Sequence, residues 1–213
     1  MSCPICEKRP PRRFCLTKGE KICAVCCGQE REVSIDCPLD CSYLIAAHRY
    51  EAENRKSMSA DDVPYRDVYV PHDFVYEYWP VISGIATAIL NLQRERRDLR
   101  DSDSMSAIEA LAETYRTLSS GIYFERPPEI PDARALYGAI NQFLQEFRQS
   151  DSSRAGFPTL KDPDVFHILV FLLRLARQEA NSRPRSRAFL GFLRQRFPLP
   201  AQAEKDAPRI IVP

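Results

Sequence analysis

The chain has 213 residues, 44% of them hydrophobic and 28% charged, with a formal net charge of +1. That balance belongs to a soluble globular protein of one or two domains and excludes wholesale disorder, collagen-like sequence and a membrane bundle. A net charge near zero gives no global field toward nucleic acid or a membrane surface, and 7 Gly against 17 Pro point to helices with hard stops.

The start, Met1 to Arg9, carries charges where a secretory leader needs an apolar run. The longest apolar run, Val165 to Leu173, is broken by His167 and falls far short of the ~20 residues of a membrane span. The expectation is a cytoplasmic protein with no membrane contact. Clustered cysteines in that reducing compartment are metal ligands rather than disulfides. Arginine outnumbers lysine 24 to 6, read as genomic bias before any functional choice.

In chain order, residues 1–42 are cysteine-rich and locally basic. Pro38 after Cys37, with Asp40 in the following turn, reads as a helix start, and the helix runs through Tyr43, Leu44, Ala47 and Glu51 to about Arg55. Lys56 to Asp62 is small and polar, a linker. Phe74, Tyr78, Val81, Ile82, Ile85, Ile89 and Leu92 then fall at helical spacing, with Pro80 as a kink or the real start. Ile108 to Leu118 forms a second helix stopped at Gly121, and Ala135 to Phe147 a third. Asp162-Pro163 opens a fourth, apolar nearly all round like the central helix of a bundle. A short fifth spans Arg185 to Phe197. Ile210-Ile211-Val212 suggests an edge strand in an otherwise loose tail.

All eight cysteines lie in the first 41 residues, at 3, 6, 15, 23, 26, 27, 37 and 41. Two C-x2-C pairs have the bite that tetrahedral zinc demands of a tight turn. Cys37 and Cys41, one helical turn apart, face the same way. Eight thiolates make two closed four-cysteine sites with no vacant catalytic position. The ligand set expected is therefore Cys3, Cys6, Cys15, Cys23, Cys26, Cys27, Cys37 and Cys41, holding two structural zinc ions.

Cys3-Pro4-Ile5-Cys6, followed by Phe14-Cys15-Leu16-Thr17-Lys18-Gly19-Glu20-Lys21-Ile22-Cys23-Ala24-Val25-Cys26, resembles a B-box zinc finger. The resemblance covers about 40 residues and implies a β-hairpin and a cross-brace. Cys3 and Cys6 then share one zinc with Cys23 and Cys26, and Cys15 joins Cys37 and Cys41 on the other. Lys18 stands where the family has a ligand, and Cys27 is the thiol left to replace it. The ending, Cys41 followed by His48, is similar to HIT-type fingers. Both families imply protein contacts.

The remaining chemistry has structural readings. His48 can share the Cys41 face and is an alternative ligand, but eight cysteines already satisfy two zincs, so it reads as a surface or interface histidine. His72 sits near a helix cap, and His167 is a hydrogen-bonded core histidine. Asp101/Asp103 and Asp162/Asp164 read as helix-start carboxylates. Tyr65, Tyr69, Phe74, Tyr76, Tyr78 and Trp79 read as an arm docked on its own core. Arg174, Arg177, Arg183, Arg185, Arg187, Arg194 and Arg196 are the one nucleic-acid footprint, set against residues 61–146, which carry 8 basic and 15 acidic groups. No phosphate loop, dinucleotide fingerprint, H-E-x-x-H or G-x-S-x-G is present, so no catalytic and no organic-cofactor residues are assigned.

The sequence thus predicts a mainly α protein. A treble-clef or cross-brace-like zinc module with a hairpin and exit helix spans 1–56, a linker 57–62, an α-helical bundle 63–197 and a tail 198–213. The expected function is a non-enzymatic, zinc-binding interaction or adaptor protein with protein partners. The alternative is a nucleic-acid-binding regulator using Arg12, Arg13, Lys18 and Lys21 with the C-terminal arginines.

Overall fold

The computed structural model describes residues 2–55, 57–157 and 159–199; the tail from 200, including the expected strand at 210–212, lies outside the described residues. The expected hairpin is present: β1 (Arg13–Cys15) pairs antiparallel with β2 (Glu20–Ile22), Phe14 opposite Lys21. Gly19 turns the chain at φ +67 and its amide donates to the Cys15 carbonyl at 2.9 Å. α1 (Ala24–Glu30), which helical periodicity does not announce, follows directly, with the Cys23 sulfur accepting from the Cys26 amide at its N-terminus. The chain then turns tightly around the Glu30 carbonyl, which accepts from the amides of Val33, Ser34 and Ile35.

α2 (Ser42–Glu53) begins four residues later than expected. Pro38 opens a separate turn, closed by the Cys41 amide on the Pro38 carbonyl at 3.0 Å, and Cys41 is the extended N-cap. Cys37 and Cys41 therefore sit on a turn rather than on one helical face. Pro38 and Asp40 mimic a helix start because turns and first helical turns favour the same residues.

The expected linker contains a 3-10 turn at Ala60–Asp62. The first long helix is two elements, α3 (His72–Glu77) and α4 (Trp79–Glu95), broken at Tyr78, with Pro80 in the first turn of α4. α5 (Asp101–Ser119), α6 (Pro131–Ala155), α7 (Asp162–Glu179) and α8 (Ala188–Arg196) complete the mainly α fold. α7 is central, burying Val165, Ile168, Leu169, Val170, Leu172 and Leu173 completely, and packs chiefly on α5. α6 lies against α4 and α5, and Gly84 lets α4 seat the Phe143 ring: a Cβ at Gly84 would fall 1.9 Å from Phe143 Cζ.

A single buried apolar cluster runs from Cys3, Ile22 and Leu44 through α4, α5 and α7 to Leu193. Buried polar groups join its two ends. Glu32, fully buried at φ +54, accepts from the Arg187 amide at 2.6 Å and from Asn181 Nδ2 at 2.7 Å. Arg187, 2% exposed, donates from Nε to the Leu99 carbonyl at 2.9 Å and from Nη1 to the Cys37 carbonyl at 2.8 Å. The same Nη1 lies 2.7 Å from Asp36 Oδ1, close enough for an ion pair but not aligned as a hydrogen bond. Asp101 at the head of α5 accepts from Ser186 Oγ at 2.6 Å and from the amides of Phe189 and Leu190 at 3.0 and 3.1 Å, so it caps α8. Arg55 and Glu179 form a two-pronged pair at 2.6 and 2.8 Å.

Candidate metal centre

Two short turns bring four sulfurs together. Cys3 and Cys6 sit on a loop where the Glu7 amide donates to the Cys3 carbonyl at 2.7 Å and the Cys3 amide to the Arg9 carbonyl at 2.8 Å. Glu7 closes that loop at φ +53. Cys23 and Cys26 come from the strand-to-helix junction between β2 and α1. The Cys23 amide donates to Cys3 Sγ at 3.2 Å, the Cys26 amide to Cys23 Sγ at 3.4 Å, and the Cys6 and Cys23 sulfurs are 3.9 Å apart. All four sulfurs lie within 4.8 Å of one another; Cys3, Cys23 and Cys26 are buried and Cys6 is half-buried. These are the four that the resemblance assigns to one ion.

The set fits a divalent metal. Zinc–sulfur bonds of about 2.3 Å place tetrahedral sulfurs about 3.8 Å apart, which this cluster reaches with shifts of about 1 Å or less. The electrostatics of the thiols also suit a cation. Burial pushes the Cys3 thiol up, but the amides of Cys23, Cys6 and Ile5 outweigh it and bring it down to about 6. The Lys8 amide leads the groups that hold Cys6 below its usual value. Burial pushes Cys26 up to about 12, with Cys23, Cys6 and Cys3 adding to the rise. Four thiolates this close repel one another, and a bound divalent ion is what lets all of them ionise together.

Among the described residues, the other four cysteines form no comparable cluster. Burial pushes Cys37 up to about 11, opposed by a backbone donor at Glu32 and reinforced by the nearby charges of Cys41, Glu32 and Cys15. Cys15, Cys37 and Cys41 are thus electrostatic neighbours. Cys27 takes an Arg13 N–H at 3.6 Å, and the Arg13 guanidinium lies 4.8 Å over the Tyr43 ring. Thr17 Oγ1 donates to the Asp36 carbonyl at 2.7 Å, tying the hairpin to the turn that carries Cys37.

Among the described residues, no histidine joins the four-sulfur cluster. His48 Nε2 is 2.9 Å from Glu32 Oε2, at the seam between α2 and α8, where Gly191 leaves room for its ring. His72 opens α3 against Tyr76. His167 is half-buried, packed edge-on against Phe74 with ring centroids 5.8 Å apart; an aromatic contact stands where a hydrogen bond was expected.

The aromatic arm docks in part. Tyr65 meets Phe166 edge-on, Phe74 meets Tyr78, and Trp79 stacks on Phe197, while Tyr69 and Tyr76 remain exposed. Arg174 straps the arm down by donating to the carbonyls of Pro64, Tyr65 and Val68.

The C-terminal arginines pair mainly with the N-terminal module rather than with residues 61–146. Arg183 reaches the Arg31 carbonyl at 2.8 Å and Glu51 at 3.5 Å, and Arg185 and Arg187 reach Asp36; toward the middle segment Arg174 and Arg187 meet backbone carbonyls, and Arg177 meets the carboxylate of Glu109. Asp103 and Asp164 accept from the amides of Arg100 and Lys161, as expected of helix-start carboxylates. Sequence reasoning gave no role to Glu32, and nothing local to it signals a buried carboxylate.

Fold and centre together define a mainly α-helical protein with a small hairpin and a four-cysteine cluster able to hold a metal ion. No family model, no curated protein and no solved structure matches the chain. None of its helices is long and apolar enough to cross a membrane, among the residues described.

Proposed function

We propose that the chain is a non-enzymatic, cytoplasmic interaction protein whose N-terminal module is built on two structural zinc ions in a B-box-like cross-brace. The observation that carries this reading is the convergence of Cys3, Cys6, Cys23 and Cys26, which closes a four-sulfur shell. Such a shell leaves no open position for a substrate and serves structure rather than catalysis.

The second ion is taken by Cys15, Cys37 and Cys41 with Cys27 as fourth ligand. Two features support it. Cys15 and Cys41 both act on Cys37. Cys27 contacts Arg13, which shares a strand face with Cys15. Zinc would supply only the cross-link here; the hairpin and the 37–41 turn do the positioning. Elemental analysis of purified protein is expected to return two zincs per chain, and a Cys27→Ser variant one. One zinc or fewer in the wild type defeats the two-ion form. A gel-shift titration at physiological salt is expected to show no sub-micromolar nucleic-acid binding.

A further inference from the structure

A cleft of about 470 Å³ lies where the Pro38–Asp40 turn, the C-terminal end of α4 and α8 meet. Leu39 and Leu90, both buried, contribute apolar wall, and Asp40, Arg94, Arg97 and Arg194 contribute charge. Elsewhere the C-terminal arginines are used internally: Arg174, Arg177, Arg183, Arg185 and Arg187 all bond to the chain itself. Arg97 and Arg194 differ. Both are exposed, and neither has a hydrogen-bond, ion-pair or ring partner among the described residues.

Two unspent guanidinium forks lining one cleft, beside apolar side chains, complement carboxylates that flank an apolar residue. Asp40 in the same cleft weighs against a dense polyanion. It repels a continuous phosphate backbone, whereas a peptide brings spaced charges and N–H donors that Asp40 can accept. A cleft of this size holds a short segment rather than a whole domain face.

We propose that this cleft is the docking site for an acidic, apolar-containing peptide segment of a partner protein, an assignment that rests on the interaction reading above. Asp40 precedes Cys41 by one residue, so the zinc module itself supplies one wall and is required for the site.

The test is a selection from a phage-displayed random dodecapeptide library on the zinc-loaded full chain. Enriched peptides are expected to carry acidic residues on both sides of an apolar one. A fluorescent copy of the enriched peptide should bind with a Kd that rises about tenfold in R97A/R194A and further with added salt. Zinc content and melting temperature should stay at wild-type values, because both side chains are exposed and neither is hydrogen-bonded or ion-paired among the described residues. Peptides without acidic bias, or binding indifferent to R97A/R194A, overturn the cleft while sparing the interaction reading. A selection that enriches nothing also overturns the cleft. If a labelled single-stranded oligonucleotide then binds at sub-micromolar concentration, the interaction reading falls with it.

Discussion

Replacing Arg187 tests how the cysteine module is held to the helices. The guanidinium is almost completely buried and serves three acceptors: the carbonyls of Cys37 and Leu99 and the Asp36 carboxylate. Truncation in R187A strands the buried Cys37 and Leu99 carbonyls and takes from Asp36 its nearer cation, leaving it Arg185 at 3.8 Å. Each orphaned buried polar group costs about 1–3 kcal/mol, and breaking a buried charge pair costs about 3–5 kcal/mol in total. The larger figure includes the carbonyls, so about 3–5 kcal/mol is the expected loss. That is a large share of the roughly 5–15 kcal/mol that stabilises an ordinary protein. R187M keeps most of the aliphatic volume but none of the donors, and is expected to fall within about 1 kcal/mol of R187A. R196A, on the exposed end of α8, is the control and should change stability by under about 0.5 kcal/mol. The assay is urea unfolding of the zinc-loaded chain followed by circular dichroism, with the slope m checked for constancy. A loss below about 1 kcal/mol refutes the reasoning. So does recovery in R187M, which would make the residue a packing element rather than a polar tie.

Four further outcomes follow from other parts of the molecule. Cys26→Ser should lower the zinc content by one ion while the hairpin loses its chemical-shift dispersion, since a three-thiol remnant no longer closes the shell. Gly84→Ala should destabilise by about 1–3 kcal/mol, because its Cβ would displace the Phe143 ring; an exposed helical site would instead gain stability from the same change, so the sign of the shift in melting temperature is decisive. Burial raises the Glu32 carboxyl, but the hydrogen bond and charge of His48 and the donors Asn181 and Arg187 outweigh it and hold it below its usual 4.5. Its contribution is therefore present above that value and is lost as pH falls through the lower folded value, so the stability gap between wild type and E32Q, measured by chemical denaturation, should be constant near neutrality and shrink in acid. Strong chelation should erase amide dispersion in residues 1–45 and leave the far-ultraviolet signal of α4 to α7 largely intact; a collapse of that signal would show that the helices cannot stand without the metal.

What could be read from the sequence follows the range of the forces involved. α7 was legible because a period near 3.6 and an Asp-Pro start are local properties of its residues. Gly121 and Gly156 end α5 and α6 at positive φ for an equally local reason, although only the first was expected. α1 was not legible: it has seven residues, two of them cysteines and one Gly28, and it is set by the Cys23 cap rather than by an apolar stripe. The Cys3, Cys6, Cys23 and Cys26 grouping was accessible because C-x2-C spacing is itself a geometric constraint. The ties of Glu32 to Arg187 and of Asp101 to Phe189 were not, since they join residues 155 and 88 positions apart and no local pattern marks them. The misplaced start of α2 has a different origin, because Pro38 and Asp40 suit a turn as well as a helix.

Asp101 bears on the order in which the chain acquires structure. α8 has nine residues and no side-chain cap of its own, and isolated helices shorter than about 12–15 residues are marginal in water. Its first amides are met by a carboxylate 88 and 89 positions earlier in the chain. α8 is therefore a late element that condenses onto the preformed head of α5 rather than nucleating alone. Because α8 also follows directly on the Arg187 tie to the Cys37 turn, that turn gains its final contacts only after residue 187 has been made, about 150 residues after the turn itself.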